Sequence, residues 1–226
     1  MIPPLLGTVT IGQAPRSDIA PILAMHLPPT VGCLHVGVLD GLAHDVIAAR
    51  FAPRAGAPTL ITRLLDGSAV VLDKAAVRQV LQQKIDALEQ AGCTVVLVLC
   101  TGEFDGLRTR QAWLVEPDRI VPPAAAALAG TRQAGTVVPL PSQIASEYRK
   151  WQGLAHPPLC SAASPYGDDD AALAAAARDL RERGAELLIL DCMGFVERHR
   201  AIARAACGLP VILSNALIAR LTAELL

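Results

Sequence analysis

Two cysteines close two copies of one sequence pattern. The stretch from Leu88 through Gly92 and Cys100 to Gly102 aligns without a gap on the stretch from Leu180 through Gly184 and Cys192 to Gly194, at a constant offset of 92 residues. In each copy a polar helix end runs into glycine, then into an apolar strand, and the strand stops at Cys-x-Gly. A thiolate is a good base toward carbon-bound hydrogen and a thiol a serviceable acid. The free pKa is about 8.5, and nearby helix N-termini and backbone N–H groups lower it. The glycine lets the backbone approach a ligand closely, and successive N–H donors can cradle a carboxylate or a developing enolate oxygen. Proton removal by one thiolate and delivery by the other thiol on the opposite face inverts a stereocentre, with no cofactor and no metal.

The two ends are unequal. Cys100 is followed by Thr101, Gly102 and Glu103, and Cys192 by Met193, Gly194 and Phe195. One polar wall and one apolar wall predict a substrate with one apolar side. The loop after the first strand adds Gly12, Gln13 and Arg16, whose guanidinium fork suits a substrate carboxylate, against the plainer account of a solvated arginine at a helix start. Glu103 either orients an amine and tunes Cys100 or is an exposed loop acid. Asp191 falls on the opposite side of its strand from Cys192, which predicts structural hydrogen bonding. Arg198, His199 and Arg200 read as a solvated basic turn, with His199 the only histidine near a proposed base. Ser214 and Asn215, at a strand end, suit a helix cap or the pocket.

These residues need a scaffold that brings strand ends together. Apolar runs bounded by Gly and Pro alternate with helical periodicity, the pattern of an α/β protein with largely parallel sheets. Leu5 to Thr10 reads as the first strand, and a helix start at Pro15 to Asp18 leads to a helix ending near Met25. Val31 to Leu39 is the second strand, and a short helix spans His44 to Phe51. Asp66 and Gly67 join Thr59–Leu65 to Ala69–Leu72 as a tight hairpin. Asp73 caps a helix to Gln90. Beyond Gly102 the chain is less regular, punctuated by Pro117, Pro122 and Pro123 before a short alanine-rich helix. Gly135-Thr-Val-Val then echoes Gly7-Thr-Val-Thr, so the second half restarts where the first began. A helix at Ser142–Gln152, a strand at Leu159–Ala163, a helix at Asp169–Arg183 and a strand at Glu186–Leu190 follow. The tail from Pro210 is one more strand and helix, packing back on the first half. The expected fold is two pseudo-symmetric, doubly wound Rossmann-like halves, residues 1–120 with 210–226 and residues 121–209, with a cleft between them at the carboxyl ends of the strands.

Composition bounds the partners. The 226 residues, 52% hydrophobic and 18% charged, suffice for a full core. A formal net charge of −1 without a basic run excludes a nucleic-acid footprint. No segment has the apolar length of a membrane helix and no signal-like start occurs, which predicts a cytoplasmic protein with no membrane partner. Six cysteines without an export signal argue for reduced thiols, four of them small buried hydrophobes. The five histidines lack metal-site spacing, so no metal is expected.

The duplicated layout and paired Cys-small-Gly ends resemble the aspartate/glutamate/hydantoin racemase superfamily. The segments Thr10–Arg16, Leu190–Phe195 and Leu213–Arg220 resemble its AroM branch, a likeness covering essentially the whole chain. The resemblance implies a cofactor-independent racemase or epimerase acting by two bases, here Cys100 and Cys192, on a small carboxylate or hydantoin-type substrate. Met193 stands where amino-acid racemases of the superfamily usually carry threonine, closer to the hydantoin racemases. Related folds also include decarboxylases and cis–trans isomerases of small dicarboxylates that rely on one cysteine, and a non-catalytic small-carboxylate binder is a third alternative. Homodimers are common among the proteins it resembles.

Overall fold

The computed structural model describes residues 4–167 and 169–226, which divide into two compact units: residues 4–117 with 219–226, and residues 118–218. The first contains β1 (Leu5–Thr10), α1 (Ala20–His26), β2 (Gly32–Gly37), α2 (His44–Phe51), β3 (Thr59–Arg63), β4 (Ala69–Asp73), α3 (Lys74–Gln90), β5 (Val95–Leu99) and β6 (Trp113–Val115). The remaining elements are α4 (Pro117–Ala129), β7 (Ala134–Val138), a 3-10 turn at Pro141–Gln143, α5 (Ile144–Lys150), β8 (Leu159–Ala162), α6 (Asp170–Glu182), β9 (Leu187–Leu190), α7 (Glu197–Cys207), β10 (Val211–Leu213) and α8 (Ser214–Ala223).

Each unit has one four-stranded, wholly parallel sheet, in the order β2-β1-β5-β6 and β8-β7-β9-β10. The orders correspond strand for strand, so the duplication read from the sequence is a duplication of topology. Parallel strands covered on both faces require continuous apolar runs. β5, β7 and β9 are accordingly buried at every position.

The repeated glycines explain how each copy turns from helix to strand. Gly92 (φ +92°) and Gly184 (φ +102°) lie in the left-handed region that ends α3 and α6. The next N–H reaches back five residues in both copies, Cys93 to the Leu88 carbonyl at 3.1 Å and Ala185 to that of Leu180 at 2.9 Å. The glycine N–H bonds the carbonyl three residues earlier, completing a Schellman motif. An added Cβ would meet nothing within 4 Å at either position, so only backbone strain opposes a side chain. Gly92→Ala and Gly184→Ala should each lower stability by about 1–2 kcal/mol. Urea unfolding measures this, and an unchanged midpoint would remove the left-handed requirement.

Three expectations are corrected. β10 pairs with β9, so the tail strand assigned to the first half belongs to the second sheet. The proline-marked break at 117–123 is the first half of α4, which starts at Pro117, carries Pro122 and Pro123 in its interior and buries Val121, Ala125 and Ala129. Helix interiors disfavour proline through a lost hydrogen bond and a clash, and here the buried face holds the helix. The expected tight hairpin around Asp66 and Gly67 is present, turning through three residues with Leu64 N–H bonding the Ser68 carbonyl at 2.8 Å and Gly67 N–H that of Leu64 at 3.0 Å. Cys33, grouped with the buried cysteines, is exposed on β2 at the sheet edge, whereas Cys93, Cys160 and Cys207 are buried.

β3 and β4 form a separate two-stranded sheet that has no counterpart in the second unit's strand order. This hairpin packs on the two loops that matter. A Cβ at Gly12 would lie 2.4 Å from Thr62 Oγ1 and 2.7 Å from the Arg63 carbonyl oxygen, and one at Gly102 2.9 Å from Leu60 Cδ2. Asp73 ends the hairpin and caps α3 by accepting the Ala76 N–H at 2.9 Å, as expected from its position. At the other end of α3, Glu89 accepts the N–H groups of Arg110, Gln111 and Ala112, and these bonds hold its carboxyl below the usual range. No helix among the described residues is long and apolar enough to cross a membrane.

Candidate active site

Both strand-end thiols are held in the same local geometry. Cys100 follows β5, is 7% exposed, and its Sγ accepts the Gly102 N–H at 3.3 Å. Cys192 follows β9 by two residues, is 8% exposed, and its Sγ accepts the Gly194 N–H at 3.4 Å. A backbone N–H directed at sulfur stabilises a thiolate over a thiol. Small glycine is needed in both turns because the space above it is filled, by Leu60 at Gly102 and by the Tyr166 ring at Gly194.

Around Cys100, Thr101 is buried and Glu103 exposed. The loop after β1 is tied down by its own side chains. Gln13 Nε2 donates to the carbonyls of Leu39 and Leu42, at 3.4 Å each, while its Oε1 accepts the Leu65 N–H at 2.9 Å. Its amide thus joins the β2–α2 connection to the hairpin. Asp40 accepts the N–H groups of Ala14 at 2.8 Å and Gly37 at 2.6 Å. Arg16 is 7% exposed, and its fork already holds a carboxylate: Nε and Nη2 donate to Asp18 at 2.8 and 2.7 Å, and Nη1 donates to Thr10 Oγ1 at 3.4 Å. The guanidinium is neither a solvated helix-start arginine nor an empty fork.

Around Cys192 the loop is clamped from below. Asn215 Nδ2 donates to the carbonyls of Met193, at 3.0 Å, and Phe195, which fixes the intervening Gly194 N–H. The side chains of Met193 and Phe195 are buried, Phe195 completely and with its ring edge-on to His199 at 5.5 Å. The anticipated apolar wall is therefore interior packing. His199 is likewise buried, unlike the solvated basic turn expected there, and its Nδ1 accepts the Val196 N–H at 2.9 Å, capping α7. Arg198 pairs with Asp170 at 2.7 Å and Arg200 with Glu197 at 3.2 Å.

Asp191 lies just past the end of β9, so strand alternation does not extend to it, and its carboxylate joins a buried ionisable cluster. It pairs with Lys150 and accepts the Ser214 hydroxyl at 3.1 Å. Glu147, one turn before Lys150, accepts the Trp151 indole N–H at 2.7 Å. Burial, then the Asp191 charge, pushes the Glu147 carboxyl up to about 8. Glu147 is thereby held protonated at neutral pH beside the Lys150–Asp191 pair. Burial, then the charge of Glu147, raises the Cys160 thiol to about 11, so this cysteine stays protonated and inert.

Two groups were not read from the sequence. The Glu147–Lys150 pair sits on a short helix whose spacing resembles any solvated surface pattern. Tyr166 is one of two tyrosines in the chain, in the loop after β8, and its hydroxyl lies 3.5 Å from Cys192 Sγ. Its place beyond a strand's carboxyl end was the available signal. Among the described residues no group of three or more His, Cys, Asp or Glu side chains is arranged to hold a metal ion.

Comparison with known proteins agrees with this architecture. The profile of the family described as AroM protein matches residues 6–226. Unliganded arylmalonate decarboxylase superposes with a TM-score of 0.60 at 13% identity, over 99% of this chain and 92% of that one. Allantoin racemase from Pseudomonas fluorescens gives 0.60 at 17%, over 97% and 89%, and aspartate racemase from Picrophilus torridus 0.61 at 12%, over 98% and 94%. At these identities the likeness is one of fold. Among curated proteins none matches the chain by sequence.

Proposed function

The chain belongs to the AroM family, and from that premise we propose that it is a cofactor-independent racemase or epimerase in which Cys100 and Cys192 are the two bases. Neighbours in fold include racemases, a decarboxylase and a maleate isomerase, which supports isomerase chemistry at the level of the superfamily. The observation that carries the two-base reading is the matched thiol geometry: each Sγ accepts the N–H of the glycine two residues on, at 3.3 and 3.4 Å, after corresponding strands of two like sheets. Core packing alone gives no reason for that match.

In this reading one thiolate takes the hydrogen from a carbon beside a carbonyl or carboxylate, and charge moves onto the oxygen as an enolate. Backbone N–H groups of the two turns other than those of Gly102 and Gly194, which bond sulfur, stabilise that oxygen, and the second thiol returns a proton to the opposite face. The Thr101 hydroxyl completes the polar side. Arg16, matched to Asp18, acts by shaping the Gly12–Gln13 loop, whose backbone faces the substrate.

The test is solvent exchange. Purified protein in deuterium oxide, offered single enantiomers of amino acids and hydantoins, should incorporate deuterium at the stereocentre from either enantiomer, with NMR following the lost signal. Release of carbon dioxide from an arylmalonate without such exchange would replace this reading by a decarboxylase. Ligand-induced thermal stabilisation with no turnover would leave a binder.

A further inference from the structure

Cys192 has a second hydrogen-bonding partner outside its own turn. The Tyr166 hydroxyl lies 3.5 Å from Cys192 Sγ, across 26 residues of sequence. The phenol is seated by three observations. The Ala163 N–H bonds the Val138 carbonyl at 2.9 Å, carrying the β7–β8 ladder into the loop. Ser164 Oγ accepts the Tyr166 N–H at 3.2 Å, a local turn that fixes the tyrosine backbone. At Gly194 an added Cβ would lie 2.5, 2.6 and 2.7 Å from Tyr166 Cε1, Cζ and Oη. The glycine of the second Cys-x-Gly thus vacates the volume that the phenol occupies.

The neighbouring ionisable groups face other partners. Asp191 is engaged with Lys150 and Ser214, His199 Nδ1 with the Val196 N–H, and Arg198 with Asp170. A phenol ionises near pH 10 and a free thiol near 8.5, so the first proton lost from the pair is the thiol's. The phenol then donates to sulfur and keeps its own proton.

We propose that Tyr166 is the positioning residue of Cys192, its hydroxyl donating to the thiolate and, with the Gly194 N–H, holding Sγ ionised and in one orientation. The inference deepens the two-base reading and rests on it for its role in turnover: Cys192 rests as the base, accepts the substrate's proton on sulfur, and the phenol hydrogen bond weakens until that proton is released.

The test is the pH dependence of iodoacetamide alkylation, read by mass spectrometry at the Cys192 peptide alone. Wild-type Cys192 should titrate below the free-thiol value of about 8.5. Tyr166→Phe keeps the ring over Gly194 and should raise the midpoint by about one pH unit, slowing alkylation roughly tenfold below it. A wild-type midpoint at or above the free-thiol value overturns the proposal without any variant, as do superimposed wild-type and Tyr166→Phe profiles. The titration needs no substrate. A shifted midpoint in a protein that exchanges no deuterium would keep Tyr166 on the thiol and remove only the racemase reading.

Discussion

Cys100→Ala and Cys192→Ala are each expected to abolish racemisation, with turnover down about 10²–10⁴-fold, the usual contribution of a positioned acid or base. The two variants should differ in what they keep. A protein with one thiolate can still remove the hydrogen facing it and return a solvent proton to the same face. One variant should therefore wash deuterium into one enantiomer without inverting it, and the other variant into the opposite enantiomer. That mirror-image pattern requires two bases with separate faces. Full racemisation by either variant would sink the mechanism, and loss confined to one variant would indicate a single essential thiol. Both side chains are buried, so circular dichroism and unfolding midpoints must accompany the rates.

The second large effect concerns stability and pH. Glu147 ordinarily titrates near 4.5, and in the fold burial and Asp191 raise it to about 8. Between those values the unfolded chain has released a proton that the folded chain still holds. The unfolded state therefore binds fewer protons and stability falls as pH rises, by about 1.4 kcal/mol per pH unit from this group. Below the lower value the contribution is fully present, and above pH 8 its loss is complete. Glu147→Gln preserves an acceptor for the Trp151 N–H and a donor toward Asp191, imitating the protonated acid. Urea unfolding at pH 5, 6, 7 and 8 should show a steeper decline for wild type than for the variant, with the variant more stable at pH 8. Parallel curves would contradict the buried-acid account.

What the sequence made legible was local. A helix cap, a left-handed glycine and an apolar strand lie within fifteen consecutive residues, so the Leu88–Gly102 and Leu180–Gly194 repeat carries its own structure. The short Gly7 and Gly135 echo has instead a tertiary cause that is repeated in both units. A Cβ at Gly7 would crowd Leu88 and Cys93, and one at Gly135 would crowd Leu180 and Ala185, residues related by the same offset of 92. Other contacts between distant segments left no such trace. The contact of Tyr166 with Cys192, 26 positions on, the Lys150–Asp191 pairing and the sheet that β10 joins all depend on how elements dock. Arg16 is the instructive intermediate: Asp18 stands two residues away in plain view, yet only the folded loop shows the fork closing on it.

The hairpin of the first unit is attached to the rest of the chain at a single point. Its two ends are neighbours, with Thr59 paired to Asp73 and the Lys74 N–H bonding the Pro58 carbonyl at 3.1 Å. A segment whose ends already touch can enter or leave a chain with little loop-closure cost. The segment is therefore a roof over Gly12 and Gly102 that could be shortened without stretching the chain on either side of it, while the second unit's sheet carries no such two-stranded addition among the described residues.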